Sequence, residues 1–142
     1  MLRIVVASGG FDPVHSGHIS YLSAARTLGD RLFVGVNSDA WLVRKKGYAF
    51  LPFEERRTIV GNLKSVDVTL PFDDSDDSAR SLLKEIKQQY PEAEIIFANG
   101  GDRNDTNCRE SDVSGVTFVF GVGGTNKLNS SSLIVDAVRM QQ

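Results

Sequence analysis

Five short β-branched runs alternate with segments of helical apolar spacing, and that alternation limits the fold of this chain more than any other feature. Residues 2–7, 31–36, 66–71, 94–98 and 116–120 read as strands. Between them, Ile19, Leu22, Ala25 and Leu28 recur at helical spacing, as do Arg56, Ile59, Val60 and Leu63, and Ala79, Leu82, Leu83 and Ile86. Asn37, Ser38 and Asp39 offer caps for a short helix through Trp41 and Leu42 that Gly47 ends. Gly29 reads as the cap closing the first helix, Pro91 as the stop of another, and Leu133, Ile134, Ala137 and Val138 as the face of a last one. Strands separated by helices pair in parallel, because the crossover must return the chain to the same end of the sheet. The expected fold is therefore α/β: one domain over residues 1–142, with a parallel five-stranded sheet and helices on both faces. Such sheets bind ligands outside the carboxyl ends of their strands, which points to the loops after Ser8, Asn37, Asn99 and Gly121.

Composition narrows the partners. At 142 residues, 41% apolar and 24% charged, the chain can bury a single core without metals or disulfides as staples. Sixteen Lys and Arg against 18 Asp and Glu leave no basic excess for a nucleic-acid partner. Cys108 has no second cysteine to pair with and no Cys or His at metal-ligand spacing, so a reducing compartment is expected. No run approaches the roughly 20 apolar residues of a membrane span, and residues 2–7 are too short for a signal segment. A cytoplasmic protein without a membrane partner is the expectation.

The decamer Gly9-Gly10-Phe11-Asp12-Pro13-Val14-His15-Ser16-Gly17-His18 carries both histidines of the chain between the first strand and the first helix. Imidazoles three apart at a helix start lie on one side and can donate hydrogen bonds to phosphate oxygens. Gly17 between them leaves room for an anion at the helix amides. A plainer role, two histidines capping a helix, fits the same positions. Residues 44–52 form a basic, glycine-containing loop. Trp41 reads as core, and residues 103–114 as the most loop-like stretch.

The decamer resembles the G-x-F-D-x-x-H-x-G-H signature of the cytidylyltransferase-like nucleotidyltransferases, and further matches follow in order. Gly35-Val-Asn-Ser-Asp39 is similar to that family's segment after the second strand, Arg44-Lys-Lys-Gly47 to its basic stretch, Glu54-Glu-Arg56 to its P-x-E-x-R element and Val66-Asp67 to its V-D. Gly100-Gly-Asp102 and Asn129-Ser-Ser-Ser-Leu-Ile134 resemble its G-D loop and its serine-threonine element. CTP-using members often carry Arg-Thr-x-Gly before that element, where this chain has Thr125-Asn-Lys-Leu128, so CTP and ATP both stay open.

The resemblance implies a Rossmann-like fold and transfer of a nucleoside monophosphate from a nucleoside triphosphate to a small phosphorylated acceptor, such as heptose 1-phosphate or glycerol 3-phosphate. It implies catalytic roles for His15, His18, Lys46 and Ser130, and nucleotide contacts from Gly9, Gly10, Phe11, Asp12, Gly17, Arg56, Asp102, Ser131 and Ser132. Asp12 is a candidate ligand for Mg2+ arriving with the triphosphate, and a homodimer is a further expectation. Arg56 has a second reading, its stem packed on Ile59 and Val60. Charge developing on phosphate oxygens needs positioned donors and cations and no protein nucleophile, so direct displacement is expected. Two alternatives remain: a nucleotide-binding module without turnover, and a metal-dependent hydrolase using Asp12, His15 and His18. A dinucleotide-binding oxidoreductase fits poorly, because neither glycine turn has G-x-G-x-x-G spacing.

Overall fold

The computed structural model describes residues 1–101, 103–104 and 106–124. In chain order the elements are β1 (Arg3–Gly9), α1 (Ser16–Arg26), β2 (Arg31–Val36), α2 (Asp39–Lys46), α3 (Phe53–Gly61), β3 (Val68–Leu70), α4 (Arg80–Gln89), β4 (Glu94–Ala98) and β5 (Val116–Val119). The expected final helix, with Ser130, Ser131 and Ser132, lies outside the described residues, as does Asp102.

All strand pairs are parallel, in the order β3-β2-β1-β4-β5. The chain winds outward from β1 to β3 and then crosses back to lay β4 on the other side of β1. This reversal opens a crevice above the carboxyl ends of β1 and β4. β1 is central, and Ile4, Val5, Val6 and Ala7 are all fully buried. Side chains alternate across a strand, so Ile4 and Val6 pack with Leu82, Leu83 and Ile86 of α4, while Val5 and Ala7 pack with Leu22 and Ala25 of α1 and Val60 of α3. Helices therefore cover both faces, as expected, with α1 and α3 on one and α4 on the other.

Local chemistry sets the helix ends. The Ser38 hydroxyl accepts from the Trp41 amide at 3.1 Å to start α2, and Gly47 at φ 85° closes it in the left-handed conformation. Four expectations need correcting. Arg44, Lys45 and Lys46 are the last turn of α2 rather than a loop, because the helix runs on until Gly47. α1 ends at Thr27, not at Gly29. Gly29 lacks a side chain for another reason: a Cβ there would come within 2.9 Å of the Arg3 carbonyl oxygen. Ile19 and Ile59 are exposed, so the buried stripes run through Leu22 and Ala25 and through Arg56 and Val60. Within residues 103–114, Arg109–Asp112 forms a 3-10 turn.

Gly35 lies in the middle of β2, where a Cβ would collide with Leu82 of α4 and stand 2.9 Å from the Phe72 ring. Gly35→Ala is expected to destabilise the fold by about 1–3 kcal/mol through overpacking. Urea unfolding measures it, and a variant as stable as the parent would contradict the seating of α4 on β2.

Candidate active site

A cleft of about 840 Å³ opens above β1 and β4, lined by the loops after Ser8, Asn37 and Asn99 and by Val122 to Gly124. It is the place the strand pattern pointed to. His15, His18 and Tyr21 of the α1 segment line it, with Trp41, Lys45 and Lys46 of α2 and Ser78 and Ala79 at the start of α4.

The two histidines cap α1 and face the cleft at once. His15 is the N-cap residue, and its Nδ1 accepts from the Gly17 amide at 3.0 Å. His18 reaches back, its Nδ1 accepting from the His15 amide at 3.2 Å. With each Nδ1 used as an acceptor, the hydrogen-bond network assigns the ring proton to Nε2, and each neutral imidazole keeps one N–H to donate. Gly17 permits the fold-back, since a Cβ there would stand 2.8 Å from His15 Cε1. The ring centroids are 4.0 Å apart, and Phe11 sets its edge against His18 at 5.0 Å. Phe11 is itself buried at φ 51°, a strained conformation for a residue with a side chain. Its visible role is to hold His18. Burial, with smaller contributions from the charges of His15 and Lys46, pushes His18 down to about 4. Burial also lowers His15.

Asp12 and Lys46 are joined. The Lys46 ammonium donates to the Asp12 carbonyl at 3.0 Å and lies 3.8 Å from its carboxylate. That carboxylate accepts from the amides of Phe50 and Leu51 at 2.6 and 2.7 Å and has no exposed surface. It clasps the segment after α2, and this conformation offers no oxygen to a metal ion. Among the described residues no three His, Cys, Asp or Glu side chains are grouped as metal ligands. The residues on view do not fit the Mg2+ role considered for Asp12.

Arg56 also departs from expectation. Its guanidinium is fully buried and outside the cleft lining. It donates to the carbonyls of Leu51, Gly10 and Asn37 at 2.9, 2.8 and 2.7 Å and to the Asp39 carboxylate at 2.7 Å. Four of its N–H contacts are thus internal, so in this structure it ties loops together. Gly9 and Gly10 admit close neighbours: a Cβ at Gly9 would press on the Phe11 ring at 3.1 Å, and one at Gly10 would meet Leu42 at 2.8 Å.

The strand and helix patterns missed other cleft residues. Trp41 is not core: it lines the cleft with the Lys45 ammonium 4.6 Å from its ring centroid. Asp77, Arg103 and Glu110 line it too. Arg103 follows the glycine loop at the carboxyl end of β4, a position that should have drawn notice on that ground alone.

Parallel strand order and a cleft at the reversal point of the sheet define a Rossmann-like α/β fold, here with a glycine turn feeding paired histidines. The chain belongs to the cytidylyltransferase-like family, whose model matches residues 6–114. It is 38% identical over 145 residues to the bifunctional protein HldE of Proteus mirabilis and 37% identical over 128 residues to that of Yersinia pestis. Those alignments take in 96% and 89% of this chain but 28% and 24% of the relatives, so the chain spans about a quarter of the length of the curated relatives it matches. Among solved structures, a lipopolysaccharide core biosynthesis protein from Thermoplasma volcanium superposes with a TM-score of 0.65 at 25% identity, covering 84% of this chain and 96% of that one. A bifunctional NMN adenylyltransferase/ADP ribose pyrophosphatase from Francisella tularensis shares the fold, with a TM-score of 0.68 at 14% identity over 96% of this chain and 41% of that one. Among the described residues no helix is long and apolar enough to cross a membrane.

Two outcomes follow from this geometry. Arg56→Met, which leaves three carbonyls without their donor, should cost about 3 kcal/mol in urea unfolding. A stable variant with only a raised KM for nucleotide would instead make Arg56 a ligand. For His18, the folded pKa of about 4 lies below the unfolded value of 6.5, so the unfolded chain takes up the proton first. Its contribution to stability is therefore retained above pH 6.5, falls as the pH drops from there towards about 4 and levels off below. NMR of the His18 ring should show the neutral Nε2–H form throughout pH 6 to 8; a midpoint near the ordinary histidine value would contradict the burial and the capping bond.

Proposed function

We propose that the chain transfers a nucleoside monophosphate from ATP or CTP to a phosphorylated sugar or alditol, of the heptose 1-phosphate or glycerol 3-phosphate kind. Pyrophosphate leaves by direct in-line displacement. The observation that carries this reading is the convergence of two neutral imidazole Nε2–H donors and the Lys46 ammonium on one cleft at the reversal point of the sheet. The donors are preorganised: each ring is held through Nδ1 by a backbone amide, so neither must reorient as charge builds on the phosphate oxygens. A sugar phosphate acceptor is supported by the likeness to the lipopolysaccharide core biosynthesis protein and to HldE.

The attacking group is an oxygen of the acceptor's phosphate, already ionised at neutral pH, so no protein base is required. The donor phosphate exchanges its bond to pyrophosphate for a bond to that oxygen, while His15 and His18 hold the triphosphate and Lys46 meets the growing charge. Ser130, Ser131 and Ser132 are kept as proposed phosphate contacts and Asp102 as a proposed nucleotide contact. Mg2+ enters with the triphosphate as part of the substrate. Cys108 does not suit a covalent route, since it is buried and burial pushes its thiol up. The engaged Asp12 carboxylate disfavours the metal-dependent hydrolase.

Four nucleoside triphosphates assayed against glycerol 3-phosphate and heptose 1-phosphate, with pyrophosphate detection, test the reaction and separate it from binding without turnover. His15→Ala and His18→Ala should each lower kcat by at least about 100-fold, the scale for losing one preorganised donor. Circular dichroism confirms that each variant is folded. Near-normal turnover by folded variants would remove the histidines from the chemistry, and label from an α-labelled triphosphate retained on denatured enzyme would replace direct displacement with a covalent route.

A further inference from the structure

In-line displacement puts the attacking oxygen and the departing pyrophosphate on opposite sides of the reacting phosphorus. A cleft that holds the triphosphate at one wall must therefore hold the acceptor at the other. The imidazoles stand on the α1 wall, above the sheet face that α1 and α3 cover. From the sheet face that α4 covers come Ser78 and Ala79, where that helix begins, with Glu110 bonded to the Ala79 amide and Arg103 bonded to Glu110.

Glu110 is the peg of this wall. Its side chain is 3% exposed. Oε2 accepts from the Ala79 amide at the start of α4 at 2.8 Å, and Oε1 accepts from Arg103 Nη1 at 3.1 Å. The Cys108 thiol lies 3.6 Å from the same Oε1. With both oxygens engaged inside the protein, the carboxylate answers the positive end of α4 and offers nothing to a ligand. Arg103 differs. Its side chain is 46% exposed, and among the described residues Glu110 is the side-chain partner that holds its guanidinium. A guanidinium anchored through one N–H keeps others in a rigid fork that matches two oxygens of a phosphate. Lys45 and Lys46, the other Lys and Arg lining the cleft among the described residues, stand beside Trp41 and Asp12.

We propose that Arg103, indexed by the buried Glu110, binds the acceptor's phosphate and selects phosphorylated acceptors. The proposal rests on the nucleotidyl transfer argued above and adds to it where the second substrate sits. The tether matters because a free surface arginine would lose its rotamer freedom on binding, whereas this one is already partly ordered.

The test compares wild type, Arg103→Ala and Arg103→Lys with the triphosphate and the acceptor varied separately. Arg103→Ala should raise the acceptor KM by about 10-fold or more, the scale for losing hydrogen bonds to a charged group, and leave the triphosphate KM within about twofold. Arg103→Lys should recover only part of the loss, since an ammonium lacks the fork. Thermal unfolding shows whether each variant keeps its fold. An unchanged acceptor KM makes the Arg103–Glu110 pair purely structural, and a raised triphosphate KM assigns Arg103 to the nucleotide; either overturns the proposal. Should wild type release no pyrophosphate with any acceptor, the transfer reading fails, and calorimetric titration with glycerol 3-phosphate and heptose 1-phosphate then decides on Arg103 alone. Binding by wild type that Arg103→Ala loses supports the assignment, while equal binding, or none by either protein, overturns it.

Discussion

A single buried guanidinium holds the cleft end of this protein together. Arg56 reaches from α3 to carbonyls in the turn after β1, the turn after β2 and the segment after α2, and adds an ion pair with Asp39 in the first turn of α2. Burying a charge is costly unless its donors are matched, and here each neighbouring loop supplies an acceptor that would otherwise point inward unpaired. The loops that carry Gly10, Asn37 and Leu51 are thus set relative to one another by a residue that lines no part of the cleft. Asp12 repeats the device with the opposite sign, its carboxylate binding two amides of the segment after α2 while its carbonyl receives Lys46.

Capping and catalysis are usually weighed as competing explanations for a histidine at a helix start. In this protein the bonds that cap α1 also set both rings in the cleft lining, so the two readings share one geometry. The Nδ1 bonds to the amides of His15 and Gly17 begin α1, and the same bonds leave Nε2–H as the only donor on each ring. Burial then keeps the rings neutral at physiological pH, with Phe11 packed against His18 from behind. Under the proposed transfer, neutral donors suit the binding of polyphosphate and the release of pyrophosphate, because they orient oxygens without adding the full attraction of a cation.

The reversal of winding between β1 and β4 places elements from both sheet faces around one opening. The α1 wall contributes imidazoles and the α4 wall the Glu110–Arg103 pair, with the lysines of α2 at the side. Such a division suits a two-substrate displacement, in which the reacting groups approach from opposite directions.

Much of this was legible along the chain. β-branched runs, apolar spacing and, for α2, cap residues located all five strands and the four described α-helices, and alternation with helices set the strands parallel, because these are properties of neighbours a few residues apart. The decamer also pointed to the cleft, which its glycines and histidines line. What the chain order left undecided depends on neighbours distant in sequence. Whether Arg56 met phosphate or packed inward turned on carbonyls supplied by residues 10, 37 and 51, and Asp12 on amides at 50 and 51. Trp41 passed for core and Arg103 for loop until the sheet order put both around the same opening. Periodicity reports which residues can be buried or turned, whereas burial of a charge is decided by which loops the fold brings within hydrogen-bond reach, and that is a property of the tertiary structure alone.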